Sequence, residues 1–156
     1  MKTAHVVTAS PDHIPHIAAH MRQADRDEVA ASHGITPLAA MEMSLRRSRR
    51  AWTIMSPAGV PVGMFGVGDT NILAGVGSPW LLGTDELPRH AIIFLRQCPY
   101  WVGQLLEGYT VLRNCVDDRN KLSIRWLKWL GFDVGKPVAF KGQLFRMFEM
   151  KASEDV

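Results

Sequence analysis

Residues 110–116, TVLRNCV, restrict the fold of this chain more than any other stretch. They read as a strand that is apolar almost throughout, as expected of a strand buried on both faces. A sheet containing such a strand needs cover on each side, and helical patterns precede and follow it. Upstream, Gly83-Thr84-Asp85-Glu86-Leu87-Pro88 turns into a helix carrying Ile92, Ile93, Leu95, Val102, Leu105 and Leu106. Thr84 or Asp85 caps that helix, acids suit its first turn, and Pro99 should break or kink it. Downstream, Asn120 caps a short helix, Ile124, Leu127 and Leu130 form its core stripe, and Gly131 stops it. Residues 79–82 form the strand before the first of these helices. A helix crossing between two strands of one sheet makes 79–82 and 110–116 parallel neighbours.

The remaining pattern completes an α/β chain. Residues 5–9 read as a strand. Ser10-Pro11 opens a helix with Ile14, Ile17, Ala18 and Met21 on its buried stripe, and the helical pattern continues or restarts through Ala24, Glu28, Val29 and Ala31, with Gly34 as its stop. Thr36-Pro37 opens another, with Leu38, Met41 and Leu45, ending in the basic run Arg46, Arg47, Ser48, Arg49, Arg50. Strands follow at 52–55 and 60–67, joined at Pro57-Ala58-Gly59, and residues 68–77 read as a glycine-bearing loop or irregular strand. The last two strands are 132–140 and 144–150, joined at Lys141-Gly142-Gln143. The order is β-α-α-β-β-β-α-β-α-β-β: a mixed central sheet flanked by helices. It divides into a single domain, 1–150, and a polar, mobile tail, 151–156.

Composition narrows the function classes. The 156 residues are 47% hydrophobic, enough for one real core and too apolar for a disordered chain. A net charge of +3 gives no argument for nucleic acid. Arg46 to Arg50 lack aromatic interleaving and read as a solvated helix end. Cys98 and Cys115 form no CxxC pair and read as reduced core residues. Among the six histidines, His13, His16 and His20 share helical spacing, but no zincin motif or neighbouring cysteine makes them a metal site. No apolar run approaches the ~20 residues of a membrane helix. The expected setting is therefore the inside of a cell, with no membrane partner.

The segment VDDRNKLSIRWLKWLGF, residues 116–132, resembles the GNAT acyltransferases, in which a strand ends, an Asn opens a helix, and the helix closes on Gly-Phe. Ser123 falls where that family has a small residue beside the cofactor arm. The pieces RQADRDEV, PVGMFGV, PWLLGTDEL and NKLSIRWLKWLGF more narrowly resemble the small GNAT-like, gp13-type proteins encoded among phage virion genes. The GNAT resemblance implies acetyl-CoA as cofactor. It implies that Leu82, Gly83, Thr84, Asn114, Asn120 and Ser123 hold it, and that a protein or small-molecule amine accepts the acetyl group. The phage resemblance implies virion or assembly proteins as partners, the host cytoplasm as location, and packaging in the virion.

Two departures weigh against chemistry. The glycine-rich phosphate cradle of the family is replaced by the Gly83–Pro88 turn, with one glycine, two acids and a proline lacking an N–H. Leu127 stands where the family has a proton-donating tyrosine, seven residues after Asn120. Asp25 and Glu28, three apart on one helical face, are the best candidates to accept a proton or bind a cationic amine. The blander account is a solvated face shared with Arg22, Arg26 and Asp27. Tyr109 is a candidate substitute acid. Trp126 and Trp129 read as packing residues, with Trp129 a partner contact if exposed. The departures favour a virion-associated scaffold that keeps the fold with its chemistry weak or lost. The alternative is an acetyl-CoA-dependent N-acetyltransferase.

Overall fold

The structure is a computed structural model and describes residues 3–153. Seven strands form one sheet in the order β1-β2-β3-β4-β5-β7-β6. They are β1 (His5–Thr8), β2 (Ser48–Met55), β3 (Pro61–Asn71), β4 (Val76–Gly83), β5 (Val111–Asp117), β6 (Asp133–Phe140) and β7 (Gln143–Lys151). The helices are α1 (Ile14–Ala19), α2 (Gln23–His33), α3 (Pro37–Arg47), α4 (Leu87–Arg96), α5 (Cys98–Leu106) and α6 (Lys121–Leu130). Every neighbouring strand pair is antiparallel except β4–β5, which is parallel as the crossover argument requires. The strand sequence matches expectation throughout. No helix among the described residues is long and apolar enough to cross a membrane.

Two cores sit on the two faces of the sheet. One gathers Phe65, Phe94, Leu105, Leu112, Val116, Ile124, Phe132 and Phe148 beneath α4, α5 and α6. The other gathers Ile14, Ile17, Met21, Val29, Met41, Met64 and Leu82 beneath α1, α2 and α3. Asn120 caps α6 by accepting the Ser123 N–H, and Gly131 leaves the helix at φ +100°, where a side chain would be strained.

Long-range contacts decide several boundaries that the sequence leaves open or places elsewhere. The first helical pattern restarts rather than continues, with a break between Ala19 and Gln23. There Met21 bridges to Thr84 and the Arg22 N–H donates to the Gly83 carbonyl at 2.8 Å. The Arg26 guanidinium then donates to the carbonyls of Ala19 and Met21 left open by the break. The basic run is not a solvated helix end: β2 begins at Ser48. Arg49 pairs with Asp69 at 2.8 Å, and Arg50 donates to the carbonyl of Glu107. Of the two readings of 68–77 the irregular strand holds for most of it, with a register shift between Asp69 and Asn71 and a tight turn between β3 and β4. Pro99 does divide its helix, into α4 and α5. Strand β5 is not buried on both faces, for Arg113 and Cys115 are exposed, so Cys115 is not a core residue. Lys151 belongs to β7, not the tail; residues 154–156 lie outside the described residues.

Candidate active site

The parallel strands β4 and β5 stay together only briefly. Val76 pairs with Val111 and Gly77 with Leu112, and the ladder then stops although both strands continue for several residues. The strands splay from there to their C-terminal ends. Along β4, backbone groups alternate between its two neighbours. The Pro79 carbonyl accepts from Asn114 Nδ2 at 2.8 Å across the gap, and the Gly83 N–H and C=O also turn away from β3. By the same alternation Leu81 turns its N–H and C=O into the gap.

The open end of the gap is closed by a buried polar cluster. Asp25, 1% exposed, is its centre. Its carboxylate accepts from the Gly83 N–H at 3.0 Å, from Asn120 Nδ2 at 3.1 Å and from Arg22 at 3.2 Å. Asp25 thereby ties α2 to the end of β4 and to the start of α6. Arg22, also buried, donates to Asn120 Oδ1 and lies over the Trp126 ring, 5.9 Å from its centre. Burial pushes the Asp25 carboxyl up, outweighing the opposing pull of Arg22 and the three donors.

Glu28 lies one turn along α2. Its Oε1 accepts the Asp117 N–H at 2.7 Å, which fixes it to the end of β5. The residue as a whole keeps partial exposure, yet burial of its carboxyl raises the pKa to about 8, aided by the nearby Asp25 and Asp117 charges. Asp117 behaves oppositely. Burial alone would raise it, but hydrogen bonds from the Arg119 N–H and guanidinium, the latter at 2.7 Å, hold it below the usual carboxylate range. Two neighbouring carboxyls with pKa values driven apart are the arrangement that acid–base chemistry needs. The solvated-face account of Asp25 and Glu28 is therefore replaced by a buried cluster.

The other candidates divide. Asn120 and Asn114 lie at the gap, one in the cluster and one bridging the strands. Gly83 is there too, with both backbone groups already engaged by Asp25 and Arg22. Ser123 lies in the first turn of α6, its N–H taken by the cap. Leu82 does not face the gap: its side chain is buried under α1 and α3, and alternation turns its backbone toward β3. Thr84 also turns to β3, where its N–H and hydroxyl both donate to the Val62 carbonyl. Tyr109 is not brought to the cluster. It abuts Gly77 at the far end of β4, about 20 Å along the strand from Gly83. Its hydroxyl donates to Asp69 at 2.7 Å, and burial together with that carboxylate pushes its pKa to about 12. Sequence reasoning missed Arg22, Asp117 and Leu81. Only the alternation of β4 could have pointed to Leu81. Leu127 packs against the core beside α6. Trp129 is exposed, and no cluster able to hold a metal occurs among the described residues.

Solved structures share this architecture. A GCN5-related N-acetyltransferase from Kribbella flavida superposes with a TM-score of 0.70 at 18% identity, covering 96% of this chain and 98% of its own. A candidate acetyltransferase of Salmonella typhimurium, yncA, solved with its cofactor acetyl-CoA, gives 0.68 at 15% identity over 99% and 96%. An N-acetyltransferase from Staphylococcus aureus Mu50 gives 0.67 at 14% identity over 96% and 98%. The chain has the GNAT N-acetyltransferase fold. No family model and no curated protein matches the sequence. These likenesses correct the scaffold reading. The three structures named are acetyltransferases or a candidate one, one holding acetyl-CoA, and none of the three is a phage virion protein.

Proposed function

We propose that this chain is an acetyl-CoA-dependent N-acetyltransferase acting on a protein or small-molecule amine. The observation that carries this reading is the β4–β5 splay closed by a carboxyl poised near neutral pH, Glu28. The residues fit the pantetheine arm: the Leu81 N–H and C=O that turn into the gap would hold it, with the Pro79 carbonyl and the Asn114 amide beside them. They do not form a glycine cradle for the phosphates. Thr84 and Leu87 N–H groups are already bonded, Pro88 has none, and exposed Asp85 and Glu86 repel anions. Binding is therefore weak at that end.

When bound, acetyl-CoA would supply an acetyl thioester: its carbonyl carbon would take the amine's lone pair, the C–S bond would break, and the CoA thiolate would leave with the proton that the new amide nitrogen sheds. Glu28 holds the proton economy of the acceptor. In its ionised form it accepts a proton from an arriving ammonium, and the ammonium's charge lowers the Glu28 pKa as it arrives. The Asp117 N–H fixes the Glu28 oxygen that does not move. Asp25 and Asn120 hold α2, β4 and α6 in register around the gap. Tyr109 takes no part, and Leu127 donates no proton. The test is thiol release from acetyl-CoA with a panel of amines and peptides, with mass spectrometry of the products. An acetylated amine supports the proposal. Protein that binds acetyl-CoA but acetylates nothing in the panel or in a cell lysate overturns it.

A further inference from the structure

Two residues stand where the β4–β5 ladder stops, Pro79 and Asn114. The Val111 N–H donates to the Gly75 carbonyl at 3.2 Å, and the pairs Val76–Val111 and Gly77–Leu112 fix the parallel register. Continued in that register, the ladder would next join the Pro79 N–H to the Arg113 carbonyl and the Cys115 N–H to the Pro79 carbonyl. The Leu81 N–H would then meet the Cys115 carbonyl, the Asp117 N–H the Leu81 carbonyl, and the Gly83 N–H the Asp117 carbonyl. The first of these bonds cannot form, because Pro79 has no N–H. A proline is tolerated in this inner strand because the donor it lacks would point into the gap and not toward β3. The second bond is replaced by a side chain. The Cys115 N–H donates to Asn114 Oδ1 at 2.8 Å, and Asn114 Nδ2 donates to the Pro79 carbonyl at 2.8 Å.

The Asn114 amide thus stands between two groups that would otherwise pair. It accepts from one strand and donates to the other, as a peptide unit of an inserted strand would. Farther along, the groups that could close the ladder are engaged elsewhere. The Asp117 N–H goes to Glu28, the Gly83 N–H goes to Asp25, and the Asp117 carbonyl accepts the Asn120 N–H. The Leu81 N–H and carbonyl keep no partner from the chain among the described residues. Inside a protein such groups tend to find partners, so the two strands gain by closing unless closure is blocked where they diverge. Pro79 and Asn114 sit at that point.

We infer that Pro79 and Asn114 are positioning residues that hold the β4–β5 gap open in the free protein, the proline by deleting one rung and the asparagine by wedging its amide into the next. The inference rests on the acetyltransferase reading for the ligand that enters the gap, but not for the gap itself. The test compares the wild type, Pro79→Ala and Pro79→Ala with Asn114→Ala, by amide hydrogen exchange at Leu81 and by calorimetry with acetyl-CoA. In the double variant the Cys115 N–H can reach the Pro79 carbonyl directly, and the Leu81 N–H then meets the Cys115 carbonyl. Leu81 exchange should slow about tenfold, and acetyl-CoA should bind about tenfold more weakly, because the ligand must first undo these bonds. Pro79→Ala alone keeps the wedge and should show a smaller shift in both. In acetyl transfer the loss should appear in the KM for acetyl-CoA and not in kcat at saturation. Slower Leu81 exchange in the double variant, with no acetyl-CoA binding by any of the proteins, supports the wedge and overturns the enzyme reading. Unchanged Leu81 exchange and unchanged acetyl-CoA affinity overturn the inference and leave the enzyme reading standing. Faster Leu81 exchange in both variants, as from a loosened fold, also overturns it.

Discussion

Replacing Glu28 by Gln isolates the electrostatic heart of the site. Glutamine keeps an oxygen to accept the Asp117 N–H but carries no charge. A carboxyl raised from the ordinary 4.5 to about 8 binds its proton more tightly in the folded protein than in the unfolded chain. Its stabilising contribution is complete below pH 4.5 and is lost as pH rises through about 8. Taken whole, that interval is worth about 5 kcal/mol. Partial exposure of the residue and relaxation around it reduce the expected effect to about 2–3 kcal/mol. Glu28→Gln should therefore match the wild type at pH 5 and exceed it by about 2–3 kcal/mol at pH 9, a rise in Tm of about 5–10 °C. Urea denaturation and thermal melts of both proteins at the two pH values read this directly. The shared groups cancel in the difference. A gap that is the same at both pH values, or a Glu28→Gln protein less stable than the wild type at pH 9, would refute the claim that burial holds Glu28 protonated.

Three further outcomes follow from the same geometry. Asp25→Asn leaves the buried Arg22 cation without its counter-charge and should cost about 3 kcal/mol in urea denaturation; it should also lower the Glu28 pKa, seen as a shift of the pH–rate profile to lower pH. Gly83→Ala places a Cβ 2.3 Å from Leu87 Cδ2 and should cost about 1–3 kcal/mol, because Leu87 is itself fully buried. Asp85→Asn with Glu86→Gln should tighten acetyl-CoA several-fold in low salt and little in high salt, by calorimetry; equal affinities in low salt would remove the repulsion argument.

How much of this the sequence showed depends on how far each feature's causes lie along the chain. The cap at Asn120, the stop at Gly131 and the break at Pro99 are local, and they read correctly. The parallel pairing of β4 and β5 followed from one crossover helix. Whether the first helical pattern continues or restarts before α2 is left open by the sequence, because the break is made by Met21 and Arg22 joining Thr84 and Gly83, far along the chain. The fate of Asp25 and Glu28 was likewise hidden. On their own helix they stand among Arg22, Arg26 and Asp27 and look solvated. What buries them is Gly83, Asn120 and Asp117, separated from them by 58, 95 and 89 residues. Tyr109 failed as a candidate for the converse reason. Its proximity to β5 in sequence concealed that it stands at the far end of the splay, bonded to Asp69. The scaffold reading leaned on Leu127 and the missing glycines, and so judged the site by two absent groups before the present ones could be seen.

The central claim is that Glu28 takes the proton of an amine being acetylated in the β4–β5 gap. The measurement that addresses it most directly is the pH dependence of kcat/KM for acetyl transfer from acetyl-CoA, for the wild type and Glu28→Gln in parallel. The wild-type rate should rise with pH and level off above about 8, where Glu28 is ionised. In Glu28→Gln that limb should vanish and the plateau fall by about 10²–10⁴-fold. Equal plateaus and the same limb in both proteins would contradict the claim.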